Sequence, residues 1–233
     1  RKALLITENG GKLIDTKHYG VADNQQNSYI VVKLAADGAA KVGIKRKYSG
    51  LEIENYDFDH LYRAETKHVN HWLLDNYRWQ NTKQDTFALL KLEEGAVPKC
   101  GFKANLSSEK EAAKMGKRLF IAADKYIDSH LPKLAAEERK TPIHIRYAYQ
   151  QSDTIVYVLP NEMTLEKSLE PVVLTAKYGK FERKLLAEAN KLTLYRHFEL
   201  YDGVYEVEEY AAFREFVNAV LEYDFDKVVL VEE

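Results

Sequence analysis

The chain has 233 residues, with 34 Lys+Arg against 36 Asp+Glu, one cysteine and 45% hydrophobic residues. A formal net charge of -2 gives no overall electrostatic footprint for nucleic acid or an anionic membrane. The lone cysteine excludes an intrachain disulfide framework and a cysteine-rich zinc module, and the composition is that of an ordinary globular protein.

Gly10-Gly11 lacks the strand, Gly-rich loop and helix start of a phosphate site and reads as a turn. The first clear element is a hairpin. Ile30, Val32 and Leu34 alternate with Tyr29, Val31 and Lys33. After Asp37-Gly38, Ala40, Val42 and Ile44 alternate with Lys41 and Lys45. A three-residue loop, Ala36-Asp37-Gly38, pairs Val32 with Val42 and Ile30 with Ile44 and keeps one face apolar. Its third position requires a left-handed residue, which Gly38 supplies. Lys33, Lys41, Lys45 and Lys47 then line the wet face, either as a solvated stripe or as an anion-binding one.

The spacing of Phe58, Leu61, Tyr62, Val69, Trp72, Leu73 and Tyr77 predicts a helix over about 57–77, with Asn55 or Asp57 as its cap. Thr86–Leu92 and Gly101–Leu106 read as strands, with Val97-Pro98 as turn material. The stretch 107–118 is helix-compatible, although Gly116 interrupts it, and Leu119–Ile121 is a short apolar run. Residues 132–140 are polar, with Pro142 beyond. They mark a boundary between halves 1–131 and 132–233, or a link within one continuous domain.

From Thr141 the pattern is mostly β. Ile143, Ile145, Tyr147 and Tyr149 alternate with His144 and Arg146, and Gln150–Asp153 reads as a turn before Ile155, Tyr157 and Leu159. Val172–Tyr178 and Phe181–Leu186 form a hairpin about Gly179. Leu192, Leu194, Phe198 and Leu200 make one strand face, and Thr193, Tyr195, His197 and Glu199 the other. After Asp202-Gly203, Val207, Tyr210, Phe213, Phe216, Val217, Val220 and Leu221 recur at helical steps. Lys227–Val231 closes the chain as a buried strand. The sum is a mainly β (α+β) protein, an antiparallel β-sandwich or paired sandwich with two main helices packed on it. No apolar run approaches the roughly 18 residues of a membrane span. The start at Arg1, without a signal-peptide pattern, reads as a processed chain or an excised piece.

The segments ALLITENGGKLIDTKHYGVADNQQNS, DGAAKVGIKRKYSG and KRLFIAADKY resemble the C-terminal β-rich domain of unknown function in a family of bacterial three-part proteins. So do RKTPIHIRYAYQQSDTIVYVLPNEMTLEKS and DGVYEVEEYAAFREFVNAVLEYDFDKVVLVEE. In that family the domain follows a transglutaminase-like (papain-fold) core with a Cys-His-Asp site. The resemblance covers nearly the whole chain through packing and turn motifs, and none of the catalytic positions has a match here. It implies a non-catalytic accessory module that docks on the upstream transglutaminase-like domain of the same polypeptide, with no cofactor and a periplasmic or secreted location.

Three constellations compete with that reading. Cys100, His144 and Asp153 follow the chain order of a transglutaminase-like triad. However, Cys100 sits where a strand begins rather than at a helix N-terminus that would activate a thiol. Glu65, His68 and His71 fall on adjacent turns of the expected helix, as metal ligands or as a solvated face. Tyr147, Tyr149, Tyr157, Tyr178 and Tyr195 fall on strands, either as sheet packing or as a platform for sugar rings. His18, His60, His130 and His197 stand isolated and carry no assigned role.

Overall fold

The computed structural model describes residues 2–65, 69, 71–73, 76–77, 79–129, 131–135 and 139–232. The protein is mainly β. Its strands are β1 Lys2–Thr7, β2 Gly10–Asp15, β3 Gln25–Leu34, β4 Ala40–Ser49, β5 Thr82–Leu89, β6 Lys99–Ser108, β7 Ala112–Met115 and β8 Arg118–Ala122. Then come β9 Ile143–Ile145, β10 Tyr149–Val158, β11 Met163–Lys167, β12 Val172–Ala176, β13 Gly179–Glu188, β14 Lys191–Leu200, β15 Gly203–Tyr205 and β16 Lys227–Glu232. A one-turn helix, α1, spans Phe58–Leu61, and a longer one, α2, spans Tyr210–Asp224.

The eight-stranded sheet has the order β12-β13-β14-β10-β3-β4-β6-β5 and draws strands from both sides of residue 131. Its neighbours pair antiparallel except β10 and β3, which run parallel. One face is buried. Ile30, Val32, Val42, Ile44, Ile155 and Tyr157 pack there against Leu119, Ile121, Val228 and Leu230 of a four-stranded sheet, β11-β16-β8-β7. Beside them Phe181 and Phe198 pack against Phe213, Phe216, Val217 and Val220 of α2. Two short strands, β15 and β9, pair separately, as do β1 and β2.

The β3–β4 hairpin has the expected register, Val32 opposite Val42 and Ile30 opposite Ile44. Gly38 has φ +91°, and a Cβ there would lie 2.5 Å from the Ala112 carbonyl. Three expectations fail for identifiable reasons. The stretch 107–118 is not helical. Gly116 adopts φ +59° and turns β7 back on β8, so the interrupting glycine is a hairpin residue. Gln150–Asp153 is not a turn but the start of β10, where Gln151 and Asp153 point into the core. The helix expected over 57–77 is interrupted. Asp57 lies in the left-handed region at φ 51° and makes no side-chain cap, α1 ends at Leu61, and helical residues resume at Val69 and His71–Leu73. Ring packing overrides helical continuity, because Phe58, Trp72 and Tyr77 bury against Tyr48, Tyr56 and Phe102. The Phe58 and Trp72 centroids stand 5.1 Å apart and those of Trp72 and Phe102 5.5 Å.

Candidate functional site

The residues singled out in the sequence do not converge. Cys100 is buried on β6 and Asp153 on β10, with β3 and β4 between them. Three strand spacings, roughly 14 Å, therefore separate their backbones. His144 is exposed on β9 opposite Val204. No triad assembles. Glu65 and His71 are exposed, His68 lies outside the described residues, and the described residues form no group of three or more metal-binding side chains. The five tyrosines singled out do not form one exposed platform. Tyr149, Tyr157 and Tyr178 are buried in the core, and half-buried Tyr147 accepts a hydrogen bond from Asn55 at 2.8 Å. Only Tyr195 is exposed.

Asp153 belongs to a buried charged row. Across neighbouring strands Arg183, Arg196, Asp153, Ser28 and Arg46 lie side by side on the core face. Arg196 donates two bonds of 2.7 Å to the Asp224 carboxylate on α2 and one of 3.3 Å to Asp153. Arg46 donates to Ser28 at 2.8 Å, to Asp128 at 3.3 Å and to the Tyr126 carbonyl at 2.5 Å. Arg183 reaches Asp226 at 3.1 Å and the Tyr223 carbonyl. Burial holds the Asp153 carboxyl above its ordinary range, although Arg196 and Arg46 pull it down. Such ions persist in a core only when nearly every group is partnered. The row fixes α2 and the loop after β8 to the sheet, and it is closed to substrates.

The other face of the eight-stranded sheet is open. At its β10–β14 side Ser152 Oγ lies 2.9 Å from His197 Nδ1, and His197 Nε2 lies 2.9 Å from Glu199 Oε1. Tyr201 donates to the second Glu199 oxygen at 2.8 Å. Burial raises the Glu199 carboxyl, but the bonds from His197 and Tyr201 outweigh it and hold the group below its usual range. The chain of contacts resembles that of a serine nucleophile, yet Ser152 sits in mid-strand, where the ladder occupies the surrounding amides. Acyl transfer needs free donors for an oxyanion. What the geometry offers is a row of hydroxyl, imidazole and carboxylate groups suited to binding polar ligands. The cleft beside it, about 370 Å³, is bordered by Tyr195, Lys184, Glu182 and Val173. His197 looked isolated because its partners lie on another strand and two residues along its own.

The same face carries Tyr29, 52% exposed, and Tyr195, 39% exposed. Both stand opposite Thr154, so they share one row across β14, β10 and β3. Elsewhere, the β1–β2 hairpin presents Leu4, Ile6 and Leu13 on one side, exposed by 62, 81 and 67%.

Residues 119–230, just under half of the chain, match a family model described as a domain of unknown function with solved structure (DUF3858). No curated protein matches. One solved structure, a "putative protease" from Parabacteroides distasonis ATCC 8503, aligns at 17% identity and a TM-score of 0.37. The alignment covers 42% of this chain and 19% of that one, so this chain spans about a fifth of that protein. A likeness so partial carries no argument about activity.

Proposed function

Taking residues 119–230 as a domain of that family, we propose that the chain is a non-catalytic accessory module that docks on a transglutaminase-like domain of the same polypeptide. The observation that carries this reading is the β1–β2 hairpin. An isolated two-stranded ribbon is marginally stable in water. This one also turns Leu4, Ile6 and Leu13 to solvent, while Ala3 and Ile14 on its other side are half-buried. A neighbouring domain that covers the strip would bury its apolar area and order the ribbon.

The test is a binding titration between this chain and the separately produced transglutaminase-like domain. Ile6→Asp combined with Leu13→Asp is expected to weaken association by about a hundredfold, two buried aliphatic contacts being worth roughly 3 kcal/mol. Undiminished binding by the double variant, or a coding sequence with no transglutaminase-like domain before Arg1, overturns the proposal.

A further inference from the structure

The net charge of -2 conceals a segregated face. On the open side of the eight-stranded sheet Lys33, Lys41, Lys45, Lys47 and Lys103 project from β3, β4 and β6, all exposed. Lys33 stands directly opposite Lys41, and Lys45 directly opposite Lys103. Like charges facing one another across a ladder oppose sheet formation. Among the described residues only Lys41 of the five has an acidic partner, Asp85 at 3.5 Å. Lysines commonly guard sheet edges against aggregation, but these strands are internal, with both edges paired. Edge protection therefore does not account for them.

Two further features share the surface. Gly43 leaves a bare position between Val31 and Asn105, and a shallow groove of about 310 Å³ runs there between Lys33, Lys41 and Asp85. Tyr29 and Tyr195 flank Thr154 two strand spacings apart, roughly 10 Å. Lys45 and Lys103 continue that row at one end and Lys184 at the other, its ammonium 5.2 Å from the Tyr195 ring centre.

We infer that this face binds an acidic polysaccharide, with its carboxylates over the lysines and its sugar rings on Tyr29 and Tyr195. Charge complementarity selects the anion. The exposed rings, interleaved with the hydroxyl and amide groups of Thr154, Asn27 and Asn105, select a ligand with apolar ring faces and many hydroxyls. Nucleic acid suits the face less well. Phosphate is gripped best by arginine forks, whereas Arg46, Arg183 and Arg196 all turn inward. The inference is independent of docking through the hairpin, which lies on other strands.

The experiment titrates the unaltered chain with a polygalacturonate oligosaccharide, its neutral galactan counterpart, oligothymidylate and polyglutamate, by calorimetry at low and physiological salt. The uronate is expected to bind and to weaken with salt, and the neutral sugar to bind at least about tenfold more weakly. Lys45→Glu with Lys103→Glu is expected to reduce uronate affinity at least about tenfold, and Tyr29→Ala by a similar factor through lost stacking. Lys117→Glu, in the β7–β8 turn, serves as the control. Amide shift mapping on the unaltered chain is expected to move signals of β3, β4, β6 and β10. Absence of uronate binding, indifference to the paired lysine reversal, or shifts confined elsewhere overturns the inference. Tighter binding of oligothymidylate or polyglutamate overturns it in favour of a nucleic acid or an acidic protein.

Discussion

Glu52, in the 3-10 turn Gly50–Tyr56, shows how one buried carboxyl ties stability to pH. Burial pushes its pKa up to about 7, against hydrogen bonds with Tyr147 and Asn55 that pull it down. Its Oε2 has no hydrogen-bond partner among the described residues. An acid whose folded pKa lies above its unfolded value binds more protons when folded between those two values. Its contribution to stability is therefore fullest below about pH 4.5 and is lost as pH rises to about 7. Glu52→Gln is expected to stabilise the chain at pH 8 by on the order of 2–3 kcal/mol and to change little near pH 4. Thermal unfolding of both proteins at the two pH values measures this, and equal melting temperatures at pH 8 would refute it. In the sequence Glu52 is one acid among many, because its burial is a product of the fold and its partner Tyr147 lies about a hundred positions away.

At the scale of elements, the sequence read best where one period ruled. The β3–β4 hairpin and β14 follow a strict alternation, and α2 follows helical steps, so their faces were legible from apolar spacing alone. β10 was misread because Gln150–Asp153 looks like a polar turn. Gln151 and Asp153 are buried there because Arg196 of β14 donates to both and the Asp128 carbonyl, in the loop after β8, accepts from Gln151. Asp224→Ala should expose the dependence of α2 on that row. Arg196 would keep two longer contacts of 3.3 Å, to Gln151 and Asp153, and the loss is expected at about 3–5 kcal/mol in denaturant unfolding, as for a broken buried pair. A loss below about 1 kcal/mol would show that aromatic packing alone holds α2 on the sheet.

At the scale of the molecule, strands from before and after residue 131 join in one sheet through the parallel pair β3–β10. Each half separately would expose a bare strand edge and part of the shared core. Residues 1–131 and 132–233 produced apart are therefore expected not to fold cooperatively, and the full chain to unfold in a single denaturant transition followed by tyrosine fluorescence and circular dichroism. Two separable transitions would show that the halves are independent units.

The sequence by itself determined the β-rich class, the wet and dry faces of the long strands and the amphipathic helix, because alternation and helical periodicity are local consequences of backbone geometry. It also placed four of the lysines on one strand face. Only the tertiary structure decided what those residues face. Pairing of β10 with β3 and with β14 set Tyr29 and Tyr195 on either side of Thr154, pairing of β4 with β6 set Lys103 beside Lys45, and the fold left Leu4, Ile6 and Leu13 exposed. Those juxtapositions join positions up to about 170 residues apart in the chain. Strand order is fixed by the burial of the whole core, which no local pattern encodes.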